Sequence, residues 1–304
     1  MNNNKILVLG ANGMLGKMIS LYLDSNNELD VSVTSRKKSK FIMENFEQKH
    51  FNFEAIHDNI GDLINKKNSF SYIINCIGAI KPKIDEQDNS SISNTVFLNA
   101  YFPFKLQRFV IEENIQYIQI GTDCVFSGND GNYNENSFMD ANDLYGKSKI
   151  VGEIEGNNKH ILRSSIIGPE AGEGFSLMNW FLKNKQDEVS GFQNHQWNGV
   201  TTLNFSRIVE GMIKYNKFDF KTQHLIPKNT ISKAQLLEEI KIHFNKNINV
   251  KHTNAETLID RTLKTENQEL NEELWKFGGY NKIPSIEENI EELANSEIVH
   301  RIIN

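Results

Sequence analysis

Lys5-Ile-Leu-Val-Leu9-Gly10-Ala-Asn-Gly13-Met-Leu-Gly16 decides how this chain folds. A continuous apolar run this short, ended by a glycine, reads as a strand buried on both faces. From Met14 to Leu23 the apolar residues recur at helical spacing. Strand, glycine turn and helix together form the opening of a βαβ unit. Glycines in such a turn permit a tight reversal, close backbone approach to a pyrophosphate and close helix–sheet packing. The helix supplies free N–H groups and a partial positive charge for phosphate. The spacing is G-x-x-G-x-x-G, not G-x-G-x-x-G. Gly10, Asn12, Gly13, Met14, Leu15 and Gly16 are therefore candidate cofactor-binding residues, with a plain strand-to-helix turn as the alternative reading.

The alternation continues along the chain. Further strands are expected at Leu29 to Thr34, His50 to His57, Tyr72 to Ile77, Ile115 to Ile120 and Ile161 to Ile167. Helices are expected at Asn94 to Asn114, with Pro103 bending it or sitting near its start, and at Tyr145 to Glu155. Strands and helices in strict alternation specify the α/β class: a Rossmann-type, doubly wound parallel sheet with helices on both faces. After Ile167 the pattern breaks. Gly168-Pro169 and the Gly172/Gly174 stretch read as a loop, followed by an apolar segment at Leu177 to Leu182 and helices at Asn204 to Tyr215 and Lys233 to Phe244. Residues 1–167 are thus expected to form the nucleotide-binding domain. Residues 168–304 are expected to form a smaller lobe over the sheet's carboxyl edge, with one return to the sheet. Trp180-Phe181 reads as core, and Glu287-Glu288 with Glu291-Glu292 as a solvated helix face.

Composition narrows the function classes. The chain has 304 residues, 38% hydrophobic and 24% charged, with a net charge of −6. That balance suits a globular protein and argues against a nucleic-acid or anionic-membrane partner. No apolar run approaches the roughly 18 residues of a membrane span. The two cysteines, Cys76 and Cys124, lie in apolar segments and read as reduced thiols of a cytoplasmic protein. The eight histidines show no metal-ligand spacing, so no metal site is expected.

The end of the second strand selects the cofactor, because an acidic residue there holds a ribose 2′-OH and a basic one accepts a 2′-phosphate. This chain reads Val33-Thr-Ser-Arg36-Lys37-Lys38, which predicts NADPH over NADH; a solvated basic loop is the alternative. Asp58, after the third strand, could meet the adenine edge. Asn75-Cys76-Ile77-Gly78 ends the fourth strand with small residues that let a cofactor lie close.

Two Tyr-x-x-x-Lys pairs occur, Tyr101/Lys105 and Tyr145/Lys149. Positions i and i+4 share a helix face, so a phenol and an ammonium can work together as a proton donor. With eight tyrosines a chance match is expected, and context must separate the pairs. Tyr145 follows Ile118-Gln-Ile-Gly-Thr122, a buried strand whose hydroxyl-bearing end lies at the edge where α/β sheets bind ligands. Thr122, Tyr145 and Lys149 can therefore converge. Tyr101/Lys105 has no such strand end before it and reads as a helix-face pair.

The order of glycine turn, Thr and Tyr-x-x-x-Lys resembles the extended short-chain dehydrogenase/reductases. Within them, Gly10 to Gly16, Gly121-Thr-Asp-Cys-Val-Phe-Ser-Gly128 and Tyr145 to Lys149 look like the dTDP-4-dehydrorhamnose reductase group. The resemblance is fullest over the first 170 or so residues. It implies NADP(H) as cofactor and reduction of the 4-keto group of a nucleotide-linked 6-deoxy sugar, in the supply of cell-surface polysaccharide precursors. By that likeness Tyr145 is the acid, Lys149 lowers its pKa and bonds the nicotinamide ribose, and Thr122 orients the carbonyl. Asn94-Thr-Val-Phe-Leu-Asn99-Ala100 is similar to the family's helix with an Asn beside the active site. Gln196-Trp197-Asn198-Gly-Val-Thr-Thr202 looks like a substrate loop but lacks the Pro usual before its Thr. Asp123, Phe126, Trp197 and Asn198 are the substrate candidates; Trp197 could stack on a base, with a buried loop Trp as the alternative, and Asp123 could instead form a structural turn. The resemblance leaves a homodimer open. Dehydratases of this fold carry Asp-Glu after the Thr, where this chain has Asp123-Cys124, and epimerases favour an acidic end to the second strand. A third reading is a non-catalytic relative, such as the regulatory subunit that binds methionine adenosyltransferase.

Overall fold

Strand β1 (Asn4–Leu9) alternates its side chains between two cores: Ile6 and Val8 pack into one, Leu7 and Leu9 into the other. A strand buried on both faces needs a helix layer on each side, and the structure provides both. The computed structural model describes residues 4–65, 68–170 and 174–303, so Gly172 lies outside the described residues. From β1 the chain runs through α1 (Met14–Asp24), β2 (Leu29–Ser35), α2 (Lys40–Asn45), β3 (His50–Asn52) and β4 (Tyr72–Asn75). It continues through α3 (Asn89–Val96), α4 (Phe102–Glu112), β5 (Gln116–Gly121), α5 (Leu144–Gly152) and β6 (Lys159–Arg163). The C-terminal part comprises β7 (Ile166–Ile167), α6 (Leu177–Lys183), β8 (Glu188–Phe192), β9 (His195–Trp197), β10 (Val200–Thr201), α7 (Thr202–Lys214) and β11 (Thr222–His224). After these come β12 (Ile231–Ser232), α8 (Lys233–His243), β13 (Asn249–Thr253), β14 (Ile259–Asp260), α9 (Gln268–Phe277), α10 (Ile286–Ala294) and α11 (Glu297–Ile303).

The main sheet has seven strands in the order β11-β6-β5-β4-β1-β2-β3, all parallel. The order reverses between β1 and β4, which opens a crevice at their carboxyl ends. Helices α1, α7 and α11 cover one face, and α4 packs on the other. Strand β11 returns from the C-terminal part to the sheet edge, pairing Gln223 with Leu162 and His224 with Arg163. Three smaller sheets, β7/β10, β12/β9/β14 and β13/β8, are formed by the chain after β6.

Several elements differ from the sequence expectation. The third strand stops at Asn52 instead of His57, because the Asp58 carboxylate accepts the Glu54 N–H at 2.6 Å and closes a turn. The sixth strand divides at Ser164-Ser165: β6 stays in the main sheet, and Ile166-Ile167 pairs with Val200-Thr201. The helix expected from Asn94 starts at Asn89, capped by Asp88, and widens to a π turn over Phe97–Tyr101 before α4. Pro103 has no N–H for the carbonyl of Asn99 four residues earlier, which explains the widening. Trp180 is 45% exposed on α6, whereas its neighbour Phe181 is fully buried, so only Phe181 is core. Glu292 is not solvated surface: it pairs with Arg207 and accepts the Tyr280 hydroxyl at 2.7 Å.

The glycine turn yields a stability test. A Cβ on Gly16 would overlap the carbonyl oxygen of Gly10, whereas one on Gly13 meets that oxygen at 3.5 Å, an ordinary contact. Gly16→Ala should lower the unfolding free energy in urea by about 1–3 kcal/mol. Gly13→Ala should stay within about 0.5 kcal/mol of the wild type.

Candidate active site

The glycine turn is fixed before any ligand arrives. Gly10 holds φ +83°, a left-handed conformation that suits only glycine. Its N–H donates to Thr34 Oγ1 at 3.2 Å and the Ala11 N–H to the Thr34 carbonyl at 2.9 Å, which ties the turn to the end of β2. Gly13 caps α1 with an extended backbone, and no side chain caps the first turn or places a carboxylate in it. The α1 N-terminus is thus left to an anion approaching from outside. Asn12 donates to the Lys37 carbonyl at 3.1 Å and accepts from the Ser39 hydroxyl at 2.6 Å, so it joins the turn to the loop after β2. Leu15 and Gly16 are buried, and Met14 is half-buried.

Around this turn lie the other cofactor candidates. Arg36 and Lys37 are exposed, and the Arg36 guanidinium is 3.9 Å from the Glu54 carboxylate. An exposed pair at that distance restrains it little and leaves it available to a phosphate. Asp58 is exposed and occupied on one oxygen by the Glu54 N–H. Cys76 and Ile77 press directly against Gly10, and Gly78 is exposed. Burial pushes the Cys76 thiol up to about 12, against the opposing charge of Lys149. Asn99 is buried, and its amide clamps two segments: it accepts from the Ala79 N–H at 2.8 Å and donates to the Ala79 carbonyl and to Ser148 Oγ, each at 3.1 Å. Asn99 therefore locks the loop after β4 to the helix bearing Tyr145.

Across the crevice, β5 ends at Gly121 and presents Thr122. Gly121 is required because a Cβ there would press on Arg163 of β6. Thr122 caps a short turn by accepting the Cys124 N–H at 3.2 Å, and its hydroxyl donates to Asp123 Oδ1 at 3.2 Å. Helix α5 starts at Asp143, which accepts the Gly146 N–H at 2.8 Å and the Lys81 ammonium at 2.7 Å. Tyr145 and Lys149 follow on one face. The Lys149 ammonium donates to the Ile120 carbonyl at 2.8 Å. Burial lowers its pKa, opposed by the charge of Glu153.

Burial raises the Tyr145 pKa, the effects of Cys124 and Asp123 add to the rise, and the lowering interaction is a hydrogen bond with Thr122. Tyr145 remains a protonated phenol at neutral pH, the form a proton donor requires.

Beneath the site lies a buried ionic chain that sequence reasoning missed. Glu153 accepts the Thr122 N–H at 3.1 Å and the Arg163 Nε at 2.9 Å, and the Arg163 NH2 stands 2.8 Å away in a pair at most 3% exposed. Arg163 NH1 lies 2.7 Å from His224 Nε2, and His224 Nδ1 lies 2.8 Å from the Lys264 carbonyl. Since arginine can only donate, Nε2 accepts and Nδ1 carries the proton. The His224 N–H donates to Glu135 at 2.8 Å, and Glu135 also takes the Thr265 hydroxyl and the Glu266 N–H. One signal was readable: Glu153 continues the face of Tyr145 and Lys149 at i+8. Arg163, a charge closing the apolar Ile161-Leu162 run, gave a weaker hint.

The substrate candidates divide. Asp123 stands beside Thr122 at the crevice. Phe126 is fully buried and stacks on Tyr133 with centroids 4.3 Å apart, so it supports the loop instead of facing a ligand. Trp197 is 4% exposed, donates Nε1–H to Ser165 at 2.8 Å and has the Lys233 ammonium 5.2 Å from its ring centroid. It cannot offer a free face to a base. Asn198 uses its amide on the Leu263 backbone, at 2.6 and 2.9 Å. Tyr101, 53% exposed on the outer side of the π turn, takes no part in the site.

Comparison with known proteins follows this geometry. Residues 4–298 match the protein family described as the RmlD substrate binding domain. Methionine adenosyltransferase 2 subunit beta from Pongo abelii is 28% identical over 152 residues, 50% of this chain and 42% of that one. This chain therefore spans less than half the length of that relative. The dTDP-4-dehydrorhamnose reductase of Bacillus anthracis in complex with NADP has a TM-score of 0.73 at 20% identity, covering 96% of this chain and 98% of that one. UDP-glucuronic acid 4-epimerase of Bacillus cereus, in complex with UDP-glucuronic acid and NAD, has a TM-score of 0.71 at 14% identity, covering 98% and 99%. At these identities the likeness is one of fold.

The buried chain makes stability depend on pH. Burial, reinforced by Arg163, lowers the His224 pKa from 6.5 to about 4. Between those values the unfolded chain binds a proton that the folded one refuses, so stability falls as pH drops through the window. The maximal slope is about 1.4 kcal/mol per pH unit. Urea unfolding between pH 7 and pH 4 should show this loss, and His224→Gln should flatten it; an unchanged slope in the variant would assign the loss elsewhere.

Proposed function

The chain belongs to the RmlD substrate binding domain family, and on that premise we propose that it is an NADPH-dependent reductase of the 4-keto group of a nucleotide-linked 6-deoxy sugar, serving cell-surface polysaccharide synthesis. The observation that carries the reading is the meeting of α5 with the end of β5: Lys149 donates to the Ile120 carbonyl at 2.8 Å, two residues before Thr122, and Tyr145 shares its helix face, at the carboxyl edge of the sheet and across the crevice from the glycine turn. The residues present fit the cofactor. The uncapped α1 N-terminus and the Gly10–Gly16 turn suit its pyrophosphate, and exposed Arg36 and Lys37 suit a 2′-phosphate. Bound there, NADPH supplies a hydride to the ketone carbon.

The chain's own residues perform the remaining work. Thr122 orients the carbonyl oxygen by hydrogen bonding. Tyr145 donates its phenolic proton to the alkoxide that develops on that oxygen, a contribution of about 10²–10⁴-fold. Lys149 stabilises the phenolate left behind, its charge favoured by Glu153 below it. Helix α5, the Asn99 clamp and the Glu153 hydrogen bond to Thr122 hold these groups before substrate binds.

The rival readings are weaker. Dehydration needs a carboxylic acid where this chain has Cys124, whose thiol burial pushes up to about 12. The basic end of β2 disfavours an NAD-bound epimerase. The partial likeness to methionine adenosyltransferase 2 subunit beta favours a regulatory role, against which stands the complete Thr122, Tyr145 and Lys149 constellation.

Tyr145→Phe should lower kcat for NADPH-dependent ketone reduction by about 10²-fold or more, while the NADPH dissociation constant stays within about twofold. Lys105→Ala, on the second Tyr-Lys pair, should leave kcat unchanged; near-wild-type turnover in Tyr145→Phe would remove the proposed acid. Separately, Arg36→Ala should raise the KM for NADPH about tenfold, as expected for one charge-assisted contact, and leave that for NADH unaltered. Equal KM values for the two cofactors in the wild type would contradict the assignment of Arg36 and Lys37.

A further inference from the structure

Ser35 is the last residue of β2, the strand end at which dinucleotide-binding folds place a carboxylate to hold a ribose 2′-OH. Here the side chain is a buried hydroxyl backed by an imidazole. Parallel pairing of β2 with β3 sets Val33 opposite His50 and brings His50 Nε2 within 2.8 Å of Ser35 Oγ. Ser35 Oγ in turn lies 2.8 Å from the Lys37 carbonyl, which also receives the Asn12 amide at 3.1 Å. Asn12 belongs to the glycine turn. A continuous line of hydrogen bonds therefore leads from that turn, through the loop after β2, to His50.

The partners fix the proton positions along this line. A carbonyl can only accept, so the single Ser35 proton goes to Lys37, and Ser35 Oγ accepts from His50. His50 Nε2 therefore carries a hydrogen in the neutral ring as well as in the charged one, and Nδ1 is the nitrogen that titrates. Protonation leaves the bond to Ser35 in place and adds a positive charge beside the end of β2. Burial lowers the His50 pKa; a hydrogen bond with the Ser35 backbone opposes the fall, and the charge of Lys38 adds to it. The other charged groups on the neighbouring segments are exposed Lys37, Arg36, which stands 3.9 Å from Glu54, and Lys49, held by Asp24 at 2.9 Å. Every charge in the loop Arg36-Lys37-Lys38 is a cation, and an anion entering there favours the charged imidazole.

We propose that His50 is a protonation-dependent reader of the cofactor's 2′-phosphate, a specificity-determining residue that works alongside Arg36 and Lys37. The proposal rests on the NADPH reading above and deepens it. A phosphate bound at the loop raises the His50 pKa, so phosphate binding and proton uptake by His50 are linked, and each favours the other by the same factor. NAD⁺ carries a hydroxyl in place of the phosphate and lacks this linkage. One further positive charge in a partly solvated cluster corresponds to about three- to tenfold in affinity for the anion.

The test is binding, so that no turnover is required. NADP⁺ and NAD⁺ are titrated calorimetrically into the full chain and into its His50→Gln variant between about pH 8 and pH 5.5. Glutamine keeps an N–H for Ser35 and does not become charged. The variant-to-wild-type ratio of NADP⁺ dissociation constants should rise from about one at the alkaline end to about three or more at the acid end, while the ratio for NAD⁺ stays near one. Titration of the 2′-phosphate itself is common to both proteins and cancels in the ratio. Histidine NMR of the wild type supplies a measurement independent of the variant's folding: the His50 ring should titrate at higher pH in the NADP⁺ complex than in the NAD⁺ complex. A flat NADP⁺ ratio, an equal rise for NAD⁺, or one midpoint for both complexes overturns the His50 reader alone. Equal affinity of the wild type for NADP⁺ and NAD⁺ throughout the range overturns the NADPH reading, and this proposal with it.

Discussion

The Glu153 carboxylate is where the parts of this molecule meet. It receives the backbone of Thr122 from the end of β5, the guanidinium of Arg163 from β6, and the field of Lys149 one helical turn above it. A carboxylate with essentially no solvent exposure is tolerated only when its lone pairs are occupied and its charge is matched. Here both conditions are met by groups from two strands and a helix. Removing any of them leaves an uncompensated charge in the interior, so the geometry of the catalytic turn is inseparable from the integrity of the pair.

The chain of contacts continues outward. Arg163 passes its second face to His224 on β11, the strand that returns from the C-terminal half. His224 and Glu135 in turn hold the segment Lys264–Glu266. The C-terminal part is therefore tied to the sheet through polar contacts, in addition to apolar packing. The same burial that makes this network costly to break raises the Tyr145 pKa and lowers that of Lys149.

Much of this was legible in the sequence. The glycine turn after β1 predicted strand, crevice and helix, and the alternation that followed predicted the parallel sheet. The convergence of Thr122, Tyr145 and Lys149 could be read from order along the chain, because parallel α/β topology brings strand ends to one edge. What could not be read was side-chain burial in irregular segments. Phe126 was a substrate candidate, yet the loop after β5 turns it inward against Tyr133, and of the two readings open for Trp197 the fold realises the buried one, on Ser165. Asn198 looked free and is consumed by Leu263, more than sixty residues away in sequence. Long-range pairings set these roles, and a single sequence encodes them only through the finished fold.

The direct measurement of the central claim is NADPH oxidation by the purified chain against a panel of 4-keto-6-deoxy sugar nucleotides, with the sugar product identified by NMR. The account predicts stoichiometric conversion of cofactor and of one panel member to the 4-hydroxy sugar. No oxidation with any member, together with stoichiometric capture of a partner protein, would contradict it and establish a regulatory subunit instead.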